Sequence, residues 1–453
     1  MREWIDAATA AERLGVKPAT LYAYVSRGVL TRRHGPDGRR SLFASDEIEA
    51  LAERGRPRRA PSPSELAIES AVTAMGKDRH YYWGQDATEL AAEHIFEEIA
   101  TFLWTSEFAA GPPWRSPVGG VAAAIAAQSG LPAELLPLDR LQVITTTLAV
   151  TDPRRIHLDR DGVLDTARGL IAGMVDALPF AGESVGEPAG KSAGEAAGKP
   201  VGEVAGEAAW KSVGEPAGKS AGKPAGESTG PSVGPSVGAG AGASIAGRLW
   251  GKLSPDAADP GLVRALQAAM VLLADHELAA STLAARVAAS VRADPYAVVT
   301  AGLGVVSGPL HGGASYGAER LFAEIGGDPG RAARVVGDRL RAGERIPGFG
   351  HSVYKAGDYR FDALLSFVGA AAPDHPGLAV VDAVRAEATR RRLPEPNVDL
   401  ALACLTTASG MPPGSGEAIF AVSRTAGWIA HALEEYEGKR TLRPRAVYTG
   451  PAI

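Results

Sequence analysis

Cysteine is almost missing from this chain: Cys404 is the only one in 453 residues. An intramolecular disulfide is excluded, and a reducing compartment is the expected setting. Cys404 sits in an apolar run at 400–405, so it reads as a packed core thiol rather than a nucleophile. No run of about 18 apolar residues occurs, so no membrane span is expected. Residues Met1 to Asp6 lack the apolar stretch of a signal peptide, which points to a cytoplasmic protein. No Cys/His spacing suits zinc, so no metal site is expected. Gly348-Phe349-Gly350 lacks the third glycine and the strand context of a dinucleotide fingerprint. Strand-type alternation of Val, Ile and Thr is scarce too. What remains is helical: Ala, Leu and Val recur at three- to four-residue spacing over 90–107, 262–277, 281–291, 299–306, 330–342 and 416–435. With 45% hydrophobic residues a large, mostly α core is predicted.

Residues 1–56 read as a separate small module. An apolar helical pattern at 7–14 stops at Gly15, and Pro18 suits the first turn of a second helix running to Arg27. Two short strands around Gly35-Pro36-Asp37-Gly38 form a wing. Ser45 caps a third helix. This pattern resembles the winged helix-turn-helix of the MerR and excisionase-like families. On that resemblance the recognition helix would use Thr20, Leu21, Tyr22, Tyr24 and Arg27, and the wing Arg32, Arg33, Arg39 and Arg40. The net charge is −5, yet residues 1–60 carry about +4. DNA and another protein are both open as partners of the module. A Pro-rich basic linker follows at 57–64. Residues 182–245 repeat a four-residue unit beginning with glycine, interrupted by Trp210. Frequent Gly and Pro defeat helix and strand, and little is available to bury, so this tract reads as a disordered insert. The body is then 65–181 plus 246–453.

Three segments of the body carry chemistry: Gly308-Pro309-Leu310-His311-Gly312-Gly313-Ala314, Ile346-Pro347-Gly348-Phe349-Gly350-His351, and Pro396-Asn397-Val398-Asp399. Two histidines and a carboxylate are the groups needed to remove a proton beside a carbonyl and stabilise the resulting charge. Glycines beside His311 leave room for a ligand. Pro396 biases the chain before Asp399 away from helix, placing it at a loop-to-helix start, where it is either a base or a helix cap. Arg424 lies in an otherwise apolar helix, where an unpaired charge is costly, which favours an anionic ligand.

Taken in order, these segments resemble the citrate synthase family. So do Asp275-His276-Glu277, the helix from Val422 to His431, and the arm from Arg443 to Gly450. The resemblance implies a two-domain all-helical fold, here preceded by the helix-turn-helix module, with a small domain within the C-terminal half. It implies condensation of acetyl-CoA with oxaloacetate, with the acyl-CoA as a substrate and no cofactor. Asp399 would be the base, His311 would hold the thioester oxygen and His351 the ketone of oxaloacetate. His276, Arg360, Arg424 and Arg443 would bind carboxylates, Arg443 by crossing to the partner of a homodimer. Lys355 faces either the coenzyme A phosphates or solvent.

Departures stand beside the motifs. The family usually follows His-Gly-Gly-Ala with Asn and an acidic residue; here Ser315 and Tyr316 follow. It usually has Arg after the second histidine; here it is Ser352. The early Arg-Gly-Tyr segment appears only as Tyr81-Tyr82-Trp83-Gly84-Gln85-Asp86. Two further readings follow: a 2-methylcitrate synthase using propionyl-CoA, and a DNA-binding regulator whose synthase-like body senses a ligand.

Overall fold

The computed structural model describes residues 4–14, 16, 21–22, 24–25, 29–35, 41–53, 68–77, 79–108, 112–181, 244–354, 357–438 and 441–444. The linker, the tetrapeptide tract up to 243 and Lys355 lie outside these residues. So do Thr20, Arg27, Arg39 and Arg40.

The N-terminal module has the expected wing and one strand more. β1 (Trp4–Asp6), β2 (Arg32–His34) and β3 (Ser41–Ala44) form an antiparallel sheet in the order β1-β3-β2. Ile5 pairs with Phe43, and Arg33 with Leu42. Helices α1 (Ala7–Arg13) and α2 (Ser45–Glu53) flank this sheet. Ile5, Ala10, Leu21, Tyr24, Leu30, Phe43 and Ile48 make its own small core.

The body is mostly α, with one small sheet that the sequence reading did not foresee. β4 (Thr73–Met75), β5 (His80–Tyr82) and β6 (Gln85–Asp86) are antiparallel neighbours. Trp83 and Gly84 join β5 to β6 with φ of 48° and 85°. Positive φ at both central residues is what a tight right-twisted hairpin requires. Trp83 is held there by its indole N–H, which donates to Leu103 O at 3.1 Å.

The stretch 90–107, expected as one helix, divides into α3 (Ala87–Glu93) and α4 (Phe96–Thr105). The chain turns extended at His94 and Ile95, and the Glu98 carboxylate accepts the Ile95 N–H at 3.2 Å. α5 (Val118–Gln128), α6 (Pro137–Thr151) and α7 (Arg160–Asp176) follow. After the tract, Ser244 is the N-cap of α8 (Ile245–Leu253), so Ser244 and Ile245 belong to the body and not to the insert. α9 (Pro260–Leu273) and α11 (Pro295–Val306) each open on an Asp cap followed by proline, and α10 (Ala280–Ser290) lies between them. α12 (Gly313–Ile325), α13 (Ala332–Arg341), α14 (Tyr359–Ala371), α15 (Pro376–Arg390), α16 (Val398–Ala408) and α17 (Ser415–Glu437) complete the body.

α17 runs through the middle of the apolar core and is buried from Ser415 to Leu433. It approaches the end of α9 closely at Gly427, whose N–H donates to Ala274 O at 3.0 Å. A Cβ there would lie 2.5 Å from the same oxygen, so only glycine fits. That contact locks α17 against the end of α9, and the chain leaves α9 directly into His276. Cys404 is buried in α16, and burial pushes its thiol up to about 12, as a packed core residue requires. Among the described residues no helix is long and apolar enough to cross a membrane.

Candidate active site

Two loops converge before α16. Gly350 N–H donates to Glu395 O at 2.8 Å, and Asn397 N–H to Gly348 O at 2.9 Å. The Asn397 side chain adds a bond to Gly350 O at 2.8 Å. Gly348 and Gly350 have φ of 82° and 81°, a conformation open to glycine and strained for other residues. This short ladder brings the His351 loop against the start of the Asp399 helix.

Asp399 is the second residue of α16, but it is not the cap. Asn397 caps, its side chain accepting the Asp399 N–H at 3.0 Å. The Asp399 carboxylate instead accepts the Ser315 hydroxyl at 2.5 Å across to α12. Asp399 is 8% exposed. Burial pushes it up to about 6, against the Ser315 bond and the Arg360 charge, which pull it down.

His311 precedes α12. Its Nε2 lies 2.8 Å from Ser281 Oγ, and that oxygen accepts the Trp428 indole N–H at 3.2 Å. A Ser281 hydroxyl that donates to Nε2 sets the proton of the neutral ring on Nδ1. Burial first, then the Arg424 charge, push His311 down to about 4, so it is neutral at pH 7. Its ring packs edge-on to Phe420 at 5.6 Å.

In His351, Nδ1 accepts the backbone N–H groups of Val353 at 3.1 Å and Tyr354 at 3.2 Å. Arg360 Nη2 lies 3.2 Å from Nε2. Nδ1 thus faces two donors, and Nε2 faces a third, since a guanidinium can only donate. His351 stacks on Tyr354 at 4.7 Å, and His276 stands 5.3 Å from His351, with Nε2 bonded to the Tyr354 hydroxyl at 2.9 Å. Burial holds His276 well below its ordinary value.

The arginines divide. Arg360 is buried and held by Asp358 through Nε at 2.9 Å and Nη2 at 2.8 Å. Arg424 is 1% exposed and has no ion pair among the described residues. Its Nε donates to Leu273 O at 2.8 Å, and its guanidinium lies 4.6 Å from the Phe420 ring. Desolvation lowers it to about 10. Arg443 is exposed beyond α17 and makes no hydrogen bond to these residues within the chain; the neighbouring Leu442 N–H is tied to Ser290 Oγ at 3.1 Å.

Beneath His276, Asp275 accepts the Thr73 hydroxyl at 2.5 Å and lies 3.2 Å from His431 Nε2. Thr73 comes from β4, so the unforeseen sheet braces the His276 turn. Among the described residues no group of His, Cys, Asp and Glu could hold a metal ion.

A family model described as "Citrate synthase, C-terminal domain" matches residues 64–445. The chain belongs to the citrate synthase family. A second model, "Helix-turn-helix domain", matches residues 4–56, in agreement with the sheet and helices of the N-terminal module. Citrate synthase 2 of Bacillus subtilis is 40% identical over 206 residues, 44% of this chain and 54% of that protein. 2-Methylcitrate synthase 1 of Corynebacterium glutamicum is 34% identical over 191 residues, 42% of this chain and 50% of that protein. The chain thus spans about half the length of the curated relatives it matches. The fold is similar to that of citrate synthase from Thermotoga maritima, with a TM-score of 0.62 at 23% identity over 86% of this chain and 94% of the other. It is also similar to the Thermoplasma acidophilum citrate synthase solved with carboxymethyl coenzyme A and oxaloacetate, at 0.61 and 23%, over 86% and 95%.

Within this family member the structure gathers His276, His311, His351, Arg360, Arg424 and Asp399, and leaves Arg443 apart. Residues not singled out from sequence are Ser281, Tyr354, Asp358, Phe420 and Trp428. Each acts through a partner far along the chain or on a neighbouring turn. A helical step places Phe420 one turn before Arg424, a signal that was present; nothing local marks Ser281.

Proposed function

We propose that the chain is a citrate synthase-type enzyme: it condenses an acyl-CoA with oxaloacetate and releases coenzyme A. Arg424 carries this reading. A buried guanidinium with no ion pair among the described residues is costly unless a ligand supplies the anion, and this one stands beside two neutral histidines and a carboxylate held up to about 6. Oxaloacetate is held through its carboxylates by Arg424 and by the free edge of Arg360, with His276 adjoining. Asp399 takes a proton from the carbon beside the thioester. His311 donates Nδ1–H to the thioester oxygen as the enol forms. His351 donates to the ketone oxygen. The enol carbon attacks the ketone carbon, the acyl group becoming an alkyl arm, and water then cleaves the thioester. No cofactor is needed beyond the acyl-CoA substrate. A carboxylate alone is far too weak a base for such a carbon acid, so hydrogen bonding to the developing oxyanion must accompany proton removal.

A homodimer fits the surface. Val118 and Ile125 lie seven residues apart on one face of α5, 83% and 52% exposed, and Val150 on adjacent α6 is 71% exposed. Apolar stripes of this kind on adjoining helices suit a partner copy, and Arg443 would then reach the partner's site. Acetyl-CoA and propionyl-CoA differ by one methylene, worth about 1–3 kcal/mol in a pocket. Thiol release with each acyl-CoA plus oxaloacetate tests the proposal. Release with acetyl-CoA supports it, preference for propionyl-CoA makes the chain a 2-methylcitrate synthase, and release with neither overturns it.

The helix-turn-helix module supports a second reading, a DNA-binding regulator with a ligand-sensing body. Tyr22, Arg32 and Arg33 are exposed, Arg33 lying 4.2 Å over the Trp4 ring and Arg32 5.8 Å from the Tyr22 ring. A duplex-DNA shift assay over rising salt, with wild type and an Arg32/Arg33/Arg39/Arg40 alanine variant, separates the readings. Salt-sensitive binding lost in the variant supports regulation; no binding at low salt leaves the module as a protein-contact domain.

A further inference from the structure

We propose that Ser315 is a positioning residue for the base: its buried hydroxyl, donated to Asp399 Oδ1, stabilises the ionised carboxylate and aims Oδ2 at the carbon that loses its proton. The inference rests on the reading of Asp399 as base. The family usually has Asn here, so the hydroxyl is a feature of this chain.

The geometry is specific. Ser315 is fully buried, 2.5 Å from Asp399 Oδ1, and supplies the one hydrogen bond to that carboxylate among the described residues. The Asp399 N–H is already engaged by Asn397, so the main chain does not compete. Ser315 is placed by the same turn that places His311. Gly313 N–H donates to Gly308 O at 3.2 Å and Ser315 N–H to Gly312 O at 3.0 Å. A Cβ on Gly313 would stand 2.9 Å from Gly308 O, so the glycine lets this turn close tightly. One segment therefore delivers the enol-stabilising histidine and the partner of the base, four residues apart.

Other charged groups bear on Asp399 from each packed element. Arg360 of α14 favours its ionised form, and Asp358, the cap of that helix, opposes it. From the first turn of α17, Glu417 is pushed up to about 7 by burial and by Glu319, Asp139 and Asp399. Glu319 of α12 is occupied by the Gly414 and Gly416 N–H groups at 2.6 and 2.7 Å. Gly416 is pressed against Ser315: a Cβ there would meet Ser315 Cβ at 3.3 Å. Asp358 and burial make ionisation of Asp399 harder, and the Ser315 hydroxyl works against them; the Asp399 charge in turn raises Glu417. A hydrogen bond to a charged group shifts the balance between its two protonation states by roughly 1–2 pH units.

The test is the pH profile of kcat/KM for the acyl-CoA in wild type, Ser315→Ala and Ser315→Thr, with Asp399→Asn as reference. Ser315→Ala should move the acid limb up by about 1 pH unit or more and leave KM for oxaloacetate unchanged. Ser315→Thr, which keeps the hydroxyl, should restore the wild-type limb. An unmoved limb in Ser315→Ala, or a threonine that does not restore it, overturns the proposal. A turnover-free readout keeps the two failures apart: infrared titration of the carboxyl band that disappears in Asp399→Asn should show the same upward shift in Ser315→Ala. If that band moves while Asp399→Asn keeps full turnover, the base assignment fails and the hydrogen-bond role stands. If it does not move, the role of Ser315 fails by itself.

Discussion

Replacing Asp399 by Asn separates catalysis from folding at this position. The change preserves shape and leaves the Asn397 cap of α16 untouched, but removes the base. General-base catalysis contributes about 10²–10⁴-fold, so kcat should fall at least about 100-fold, or roughly 2.7 kcal/mol in the barrier. Stability should move the other way. Burial raises Asp399 from 3.8 to about 6. A carboxyl raised in the folded state stabilises it below pH 3.8, and that contribution is lost as pH rises through about 6. At pH 8 the buried carboxylate therefore costs about 3 kcal/mol relative to its protonated form, two units at about 1.36 kcal/mol each. Asn is neutral and escapes most of this cost. Thiol-release kinetics and thermal melts at pH 8 should show activity lost, oxaloacetate KM nearly unchanged, and Tm level or higher. Turnover within tenfold of wild type, or a clear drop in Tm, would refute the argument and make Asp399 a structural residue.

Arg424→Ala should raise KM for oxaloacetate by about 10² or more, since two charge-assisted hydrogen bonds at about 1.5–3 kcal/mol each are lost; calorimetric titration showing unaltered affinity would remove Arg424 from the binding site. His431, held up to about 9 by Asp275 and Glu434 against burial, contributes stability that is complete below pH 6.5 and lost as pH rises through 9. The difference in denaturant midpoint between wild type and His431→Gln should accordingly shrink from pH 6 to pH 9.5, and a constant gap would contradict it. Replacing 184–243 with a short Gly/Ser linker should leave solubility and thiol release unchanged; insoluble protein would show that the tract packs.

Much of this was legible along the chain. Three short motifs pointed to His311, His351 and Asp399 because glycine and proline mark places where the backbone must turn or approach closely. The apolar periodicity located α9, α10, α11, α13 and α17 and the α3–α4 stretch, missing the break at His94 and Ile95, where a single Glu98 carboxylate redirects the chain. The β4–β6 sheet escaped because its strands are two or three residues long, too short for any alternation to register. From the sequence by itself came the family, the added helix-turn-helix module and the types of group available for chemistry. Only the tertiary structure decided how each group is set. Asp399 left open a cap or a base; Ser315, 84 residues away, takes its carboxylate and Asn397 takes the cap. The hydrogen-bond roles of His311 and His351 depend on Ser281, on Arg360 and on two backbone N–H groups. That Arg424 has no ion pair among the described residues while Arg360 is paired with Asp358 depends on which charges burial brings within reach. Hydrogen-bond roles and ionisation are properties of surroundings, and here those surroundings are assembled from helices far apart in the chain.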